Sequence, residues 1–488
     1  MTRPIQPAAA GECTDREEGS AAGFVMSRYA ILQGQVLEHL RTLETDSLDA
    51  MLSDPPYGLG NKQPTPGELV AYLSGAEMDT GGDFMGKDWH VPSVQVWREI
   101  FRVLKPGAPV MAFAGSRTSD LISLGMRAAG FEIRDVLMWV YASGFPKSQN
   151  TSKAIDAAAG AVREVIGINE DYSRRKPNGM QTAGATAYGY SQSQQETDAR
   201  ITAPATDAAK KWDGYGSALK PAFEPIILAR KPLAGTMVEN VTVHGCGPLA
   251  IDASRIGEAG GGTHCTNRDE NGKCRGHNNG GLSISGDTFH AANALGDVGR
   301  WPANVILDEI AGAILDEQSG DRRSATNKGP TIGGKIFNGG KGIVQFANGA
   351  PYAGESGGAS RFFFCPKVSK KEREKGCNLL PMKSAGECTD REEGSAGAGR
   401  GGGSHNHHPT LKPIALIKYL ATMIRPPTSD AVLLIPYCGS GSEIIGALQA
   451  GWPAVLGIER EPDYIANCSC QNPRARRRLY TYRVAGGQ

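Results

Sequence analysis

Four consecutive residues, Asp54-Pro55-Pro56-Tyr57, follow a short apolar stretch at Ala50–Leu52. The two prolines restrict the backbone and end the strand, so the tetrapeptide forms a rigid shelf. The Asp54 side chain and the Pro55 carbonyl can both accept hydrogen bonds from an amino group, and the Tyr57 ring offers a flat stacking surface. The shelf therefore suits a planar substrate with an exocyclic amine, although the same residues could also form a simple turn.

A glycine-containing segment, Tyr437–Gly441, lies between a predicted strand and a predicted helix. Its glycines let a ligand approach the backbone, and the N–H groups at the start of a helix attract a carboxylate or a phosphate. The next predicted strand ends at Glu459, where a carboxylate can bind two ribose hydroxyls. Loop and acid together favour an adenosine-containing cofactor. A generic Rossmann turn would account for the loop alone.

The elements that must position these residues alternate between strand and helix patterns. Apolar runs of strand length lie at 109–114 and 136–141, and helical spacing of apolar residues predicts helices over 94–104 and 119–129. Near the other end, the pattern predicts a helix over 413–424, strands over 431–435 and 454–458, and a helix over 443–450 between these strands. Such alternation predicts a parallel sheet covered by helices on both faces.

Composition excludes several classes of protein. The 488 residues contain no apolar run near the roughly 18 residues of a membrane span, and residues 1–23 lack the apolar core of a signal peptide. Ten cysteines without regular spacing indicate reduced thiols in a cytoplasm. Cys265 and Cys274 lie near His264 and His277 but form no CxxC pair, so no metal site is predicted. The net charge of +1 neither indicates nor excludes a polyanionic partner.

Together the motifs resemble the β class of DNA amino-methyltransferases, which act on adenine N6 or cytosine N4. The resemblance rests on Asp54–Tyr57, Gly144–Lys147, His408–Pro413 and Pro436–Gly441 in this order, and it covers 24–232 and 405–470 well. It implies a Rossmann-like S-adenosylmethionine-dependent methyltransferase fold of the α/β class, with circularly permuted motif order and an inserted loop-rich target-recognition domain.

The resemblance also implies roles for individual residues. Asp54 and Pro55 would hold the target amine, while Pro56 and Tyr57 complete the shelf and Tyr57 stacks on a flipped-out base. The implied cofactor-binding residues are Thr410 and Lys412 at the carboxylate, Tyr437, Cys438, Gly439, Ser440 and Gly441 in the loop, and Glu459 at the ribose. The family usually has Asp where this chain has Ile435, and commonly Thr where it has Glu443, so the cofactor amine needs another acceptor; Asp54 is the nearest candidate.

A basic segment within 360–383 is the candidate DNA-binding strip. Its phosphate-facing residues would be Lys367, Lys370, Lys371 and Arg373. A solvated charged helix is an equal alternative.

The segment AGECTDREEGSA occurs twice, at 10–21 and 385–396, and is interpreted as a duplicated linker without a catalytic role.

The resulting hypothesis is a site-specific DNA methyltransferase that acts on N6 of a flipped adenine in double-stranded DNA, in a cytoplasm and at the nucleoid. We expect an N-terminal linker repeat over 1–23, a catalytic half over 24–232, a target-recognition region over 233–404, a cofactor half over 405–471 and a basic tail over 472–488. Cytosine N4 methylation and a catalytically silent DNA-binding protein are the alternatives. Whether the protein forms a homodimer, and whether a restriction endonuclease accompanies it, stays open.

Overall fold

The computed structural model describes eight segments of the chain. They are residues 28–60, 62–81, 90–142, 148–168, 200–257, 299–323, 356–366 and 411–465. Several predicted features lie outside these segments: both copies of the duplicated linker, the Gly144–Lys147 motif, Thr410, the basic tail, and the strip with Lys367, Lys370, Lys371 and Arg373.

The described residues form strands and helices that alternate through most of the chain. The strands are β1 Tyr29–Gln33, β2 Ala50–Ser53, β3 Pro109–Phe113, β4 Glu132–Val140, β5 Val165–Ile168, β6 Arg200–Thr202, β7 Phe223–Arg230, β8 Val305–Leu307, β9 Arg322–Arg323, β10 Ser356–Gly357, β11 Val432–Pro436 and β12 Ala454–Glu459. The helices are α1 Val36–Thr42, α2 Pro66–Leu73, α3 Val94–Val103, α4 Ser119–Ala129, α5 Thr151–Ala158, α6 Asp207–Lys211, α7 Met237–His244, α8 Glu309–Ser319, α9 Ile414–Met423 and α10 Ser442–Gln449.

Eight of these strands form one sheet in the order β1-β12-β11-β2-β3-β7-β4-β8. Neighbouring strands are parallel except where β7 lies between β3 and β4, with which it pairs antiparallel. Within the described residues, β5 with β6 and β9 with β10 form separate two-stranded sheets. This architecture confirms the predicted Rossmann-like α/β class, but the expectation of a purely parallel sheet is wrong at β7.

Both faces of the sheet are buried at its central strands β2 and β3. Along β2 and β3, the side chains alternate between two apolar clusters: Met51, Val110 and Ala112 belong to one, and Ala50, Leu52, Met111 and Phe113 to the other. Strands buried on both sides need continuous apolar runs rather than alternation, which is why their sequences are apolar throughout. The two strands therefore lie at the centre of the core. They hold rigidly the chain segments that begin at their carboxyl ends.

Local sequence chemistry sets several element boundaries. Thr65 and Glu68 form a reciprocal capping box at the start of α2. The predicted helix over 119–129 is confirmed as α4, and it ends at Gly130, whose φ of +107° favours glycine. The predicted C-terminal strand, helix and strand appear as β11, α10 and β12.

The predicted target-recognition region over 233–404 also contributes to the main sheet. Its strand β8 pairs in parallel with β4 at one end of the strand order. The Ala250 N–H also donates to the Met423 carbonyl at 2.7 Å, joining this interval to the end of α9. Part of the interval therefore packs with the central fold, and the domain boundaries stay predictions.

The connections that follow β11 and β2 run in opposite directions along the sheet. From β11 the chain passes through α10 to β12 on one side, whereas β2 is followed along the chain by β3, its neighbour on the other side. In open α/β sheets such a reversal creates a crevice outside the carboxyl ends of the strands. Asp54 follows β2 and Tyr437 follows β11, so both predicted motifs lie at this crevice.

No helix among the described residues is long and apolar enough to cross a membrane.

The contact between α9 and α10 leads to a stability prediction. A Cβ atom added at Gly446 would lie 2.5 Å from Ile417 Cγ2 and 3.0 Å from the Lys418 backbone nitrogen. Gly446→Ala should therefore force the helices apart and lower the free energy of unfolding by about 1–3 kcal/mol, measured by urea denaturation. The matched control is Gly67→Ala in α2, where no atom lies within 4 Å of the added Cβ. If both variants are as stable as the parent protein, the result contradicts the close packing of α9 on α10 at Gly446.

Candidate active site

The carboxyl ends of β2 and β11 are joined just before both motifs begin. The Ser53 hydroxyl, at the end of β2, donates a hydrogen bond to the Pro436 carbonyl, at the end of β11. The strands also pair in register through Leu433 with Ala50. Asp54 and Tyr437 are therefore held next to each other, although their segments are far apart in the chain.

Four side chains form a largely buried polar group at this edge, which we call the Asp54 cluster: Asp54, Tyr57, Glu224 and Lys412. The Lys412 Nζ lies 2.7 Å from Asp54 Oδ2 and 3.2 Å from Glu224 Oε2. The Tyr57 hydroxyl lies 2.6 Å from Asp54 Oδ1 and 3.0 Å from Glu224 Oε2. Its single hydrogen can be donated to one carboxylate at a time. One ammonium and one hydroxyl therefore bridge two acids.

The antiparallel strand β7 explains how Glu224 reaches the cluster. β7 pairs with β3 so that Ile226 lies opposite Phe113, the last residue of β3. The first residues of an antiparallel strand lie where its parallel neighbours end, so Glu224 is brought to the same edge as Asp54. Sequence reasoning missed Glu224. The available signal was a single acid at the start of an otherwise apolar strand.

Burial makes the charges of the cluster depend on one another. Burial raises the pKa of Asp54, and the Lys412 charge opposes this rise while the Glu224 charge adds to it. Burial alone would lower the pKa of Lys412, but the Asp54 and Glu224 carboxylates raise it well above its usual value. The Lys412 ammonium also lies 5.3 Å from the centre of the Tyr57 ring and 5.1 Å from that of Phe113, within range of cation–π attraction. Lys412 therefore stays charged and favours the ionised form of Asp54.

The glycine loop has the backbone of a ligand-binding turn. Tyr437, Gly439 and Gly441 all have positive φ angles, of 62°, 51° and 88°. This conformation is strained for Tyr437, since a side chain at positive φ costs about 1–2 kcal/mol. The hydroxyl of Ser440 is buried and has no hydrogen-bond partner in the described part of the chain. Cys438 is buried as well, with its N–H bonded to the Ile458 carbonyl.

Glu459 supports the loop from the end of β12. Its Oε2 accepts a hydrogen bond from the Gly439 N–H at 2.8 Å, and its Oε1 accepts one from the Glu461 N–H at 2.8 Å. Each carboxylate oxygen has a second lone pair, so these bonds leave acceptor capacity for a ligand. Burial raises the pKa of Glu459, while the backbone N–H groups oppose that rise. The acid predicted to bind ribose thus lies directly beneath the predicted cofactor loop.

The structure therefore brings together most of the predicted site residues. Asp54, Pro55, Pro56 and Tyr57 lie at the end of β2, and Tyr437, Cys438, Gly439, Ser440, Gly441 and Glu459 lie at the ends of β11 and β12. Lys412 is also at this edge, but its ammonium is bonded to acids of the Asp54 cluster. Its expected contact with a cofactor carboxylate stays a prediction. The described residues contain no group of three or more His, Cys, Asp or Glu side chains placed to hold a metal ion.

Comparison with known proteins links one part of this site to a protein family. The DNA methylase model N6_N4_Mtase matches residues 48–237, a segment that includes Asp54, Tyr57 and Glu224. Within this segment the match confirms the family resemblance carried by Asp54–Tyr57. A comparison with curated proteins finds no significant sequence match.

Solved structures also resemble the chain, at low identity. The PvuII DNA methyltransferase, described as cytosine-N4-specific, is 10% identical with a TM-score of 0.37, and the match covers 91% of this chain and 86% of that one. M1.HpyAVI is 9% identical with a TM-score of 0.32, covering 91% and 98%. TTHA0409 from Thermus thermophilus, complexed with S-adenosyl-L-methionine, is 13% identical with a TM-score of 0.31, covering 93% and 97%. At these scores the likenesses do not support an argument about the target base.

The Asp54 cluster leads to a prediction about pH-dependent stability. Lys412→Met removes the only cation that the described residues place within ion-pair distance of Asp54. Removing one partner of a buried pair costs about 3–5 kcal/mol of unfolding free energy. Without Lys412 the pKa of Asp54 rises further above its unfolded value, so the folded state retains a proton that the unfolded chain releases. The loss should therefore be larger at pH 8 than at pH 5.

Urea denaturation at the two pH values measures this effect. Lys418→Met is the matched control, because Lys418 is an exposed lysine on α9. An equal loss for Lys412→Met at both pH values would contradict the proposed coupling between Lys412 and Asp54.

Proposed function

We propose that the protein is a site-specific methyltransferase that transfers a methyl group from S-adenosylmethionine to the exocyclic N6 of an adenine flipped out of double-stranded DNA. The observation that carries this proposal is the Asp54 carboxylate, held by Lys412 and Tyr57 beside the glycine loop at the crevice of the sheet. The DNA methylase match over residues 48–237 supports a DNA substrate. The choice of adenine rests on the Asp that opens the Asp54–Tyr57 motif, where cytosine-N4 enzymes more often have Ser.

The residues at the glycine loop fit S-adenosylmethionine. The loop presents backbone at Gly439 and Gly441, where a Cβ is absent, and the buried Ser440 hydroxyl has no hydrogen-bond partner in the described part of the chain. Tyr437, Cys438, Gly439, Ser440 and Gly441 would hold the methionine end, and Glu459 would bind the ribose hydroxyls. When bound, this cofactor supplies a methyl group on a positively charged sulfur. Thr410 stays a proposed contact of the cofactor carboxylate.

Asp54 and Pro55 would act on the target amine. An amino group conjugated with an aromatic ring is a poor nucleophile, and two acceptors for its hydrogens favour a pyramidal nitrogen with an available lone pair. Tyr57 occupies one lone pair of Asp54 Oδ1 and Lys412 occupies one of Oδ2. Each oxygen retains another lone pair, so Asp54 can accept a hydrogen bond from the amine without leaving the cluster. Lys412 and Glu224 act as positioning residues.

The target base must leave the duplex to reach a buried carboxylate. Unstacking and unpairing cost a few kcal/mol, and stacking on an aromatic side chain offsets part of this cost. Tyr57 is the proposed stacking partner, and Pro56 keeps its backbone rigid. The Tyr57 hydroxyl can donate to either Asp54 or Glu224, and both alternatives hold the ring in the same orientation.

Methyl transfer from labelled cofactor to DNA, followed by mass spectrometry of the nucleosides, tests this proposal. N6-methyladenine is the expected product. Detection of N4-methylcytosine instead would show that the target base is cytosine. DNA binding without any methyl transfer would indicate a catalytically silent protein. Asp54→Ala should lower turnover about 100- to 1,000-fold, because it removes a preorganised acceptor. Asp213→Ala, which removes an exposed acid near α6, is the control and should retain activity.

The basic strip gives a separate prediction about DNA binding. Lys367, Lys370, Lys371 and Arg373 are proposed to contact phosphates, which position a protein without reading sequence. Neutralising Lys370, Lys371 and Arg373 together should weaken binding to all DNA alike. It should also flatten the slope of log K against log salt by up to about 0.9 for each phosphate that the protein no longer neutralises. An unchanged salt slope together with a new methylated sequence would identify these residues as base readers instead. If neither the slope nor the methylated sequence changes, these residues form only a solvated surface.

A further inference from the structure

A buried acid beside the glycine loop takes no part in the Asp54 cluster. Glu443 is the second residue of α10, directly after the loop, and only 4% of it is exposed. Its Oε2 accepts a hydrogen bond from the Ser442 hydroxyl at 3.0 Å. Among the described residues, no lysine, arginine or histidine lies within ion-pair distance of Glu443. A buried carboxylate without a cation is costly unless it is protonated or meets a positive charge.

The other acids near the loop are already engaged. Asp54 and Glu224 share the Lys412 ammonium, and Glu459 accepts two backbone N–H groups. Asp54, the nearest acceptor for a cofactor amine on sequence grounds, is therefore held by its own cation. Ile435 lies fully buried in the apolar core, so the position where related enzymes have Asp offers no acceptor. Glu443 is therefore the remaining buried acid beside the loop, and among the described residues it has no cation within ion-pair distance.

We propose that Glu443 binds the α-ammonium group of the cofactor and thereby replaces the acid that is missing at Ile435. This inference rests on the proposed function, since it assigns the amino-acid end of S-adenosylmethionine to α10. Two features of the structure carry it: a buried carboxylate without a cation, and the neighbouring buried Ser440 hydroxyl without a hydrogen-bond partner in the described segments. An ammonium group can donate to both, because it carries three hydrogens.

Electrostatics around Glu443 agree with this assignment. Burial and the negative charge of Asp54 raise the pKa of Glu443 to about 7, while its own backbone N–H, the Ser442 hydroxyl and Lys412 act in the opposite direction. A carboxyl with this pKa is partly protonated near neutrality. The charged side chains that act on Glu443 from neighbouring elements are Asp54 after β2 and Lys412 before α9. An incoming ammonium would favour the ionised form and complete an ion pair.

Calorimetric binding of two ligands to the full-length protein tests the proposal. S-adenosylhomocysteine and its deaminated analogue differ only in the amine, so the ratio of their affinities isolates that group. The parent protein should prefer the amine about 10- to 100-fold, as expected for a hydrogen bond between charged groups in a buried site. Glu443→Gln should lose most of this preference and bind the deaminated analogue as the parent does. Asp430→Asn, the same change at an exposed acid before β11, should keep the preference.

The outcomes separate this inference from the proposed function. If the parent protein binds neither ligand, the proposed cofactor is wrong and the inference fails with it. If the parent binds both ligands and Glu443→Gln keeps the full preference for the amine, the proposed function stands and Glu443 is not the acceptor.

The parent protein alone provides a second measurement that needs no folded variant. An α-amino group stays charged below its pKa of about 8. Protonation of Glu443 as the pH falls below about 7 should therefore lower the preference for the amine by about tenfold or more between pH 7.5 and pH 5.5. A preference that is constant over this range would also overturn the proposal.

Discussion

The structure of this site depends on one buried ammonium group. Lys412 lies between Asp54 and Glu224, and so it joins the segment after β2, the start of β7 and the segment before α9. The two acids would repel each other in a water-poor environment, and burial raises the pKa of Asp54. The Lys412 charge opposes both effects. The ionised form of a carboxylate that must accept hydrogen bonds from an amine is thus favoured by a residue that need not touch that amine.

This electrostatic group is possible because the sheet brings distant chain segments to one edge. β2 and β11 end side by side, and the Ser53 bond to Pro436 joins them where the substrate shelf and the glycine loop begin. The antiparallel direction of β7 adds Glu224 from the opposite chain direction. The proposed amine site and the proposed cofactor site are therefore neighbours for a topological reason. A fully parallel sheet would have placed Glu224 at the far edge.

The chain differs at two positions from the pattern of the family that its motifs resemble, and the two differences are physically consistent with each other. An apolar residue at Ile435 fills the core beneath the loop, and an acid at Glu443 stands at the start of α10. A negative charge is favoured at a helix N-terminus, so α10 tolerates an acid there better than the end of a buried strand would. Moving the charge from the strand to the helix keeps one acid beside the loop while the strand becomes wholly apolar.

The sequence by itself determined the local features. Continuous apolar runs and helical spacing predicted β3, α4, β11 and β12, and residue chemistry marked Asp54–Tyr57 and Tyr437–Gly441, because these patterns depend on neighbours in the chain. Only the tertiary structure decided that β7 is antiparallel, that β8 joins the main sheet, and that Glu224 and Lys412 meet Asp54. Tyr57 and Glu224 are 167 residues apart in the chain. Strand order and register bring such residues together, and neither leaves a periodic pattern in the sequence.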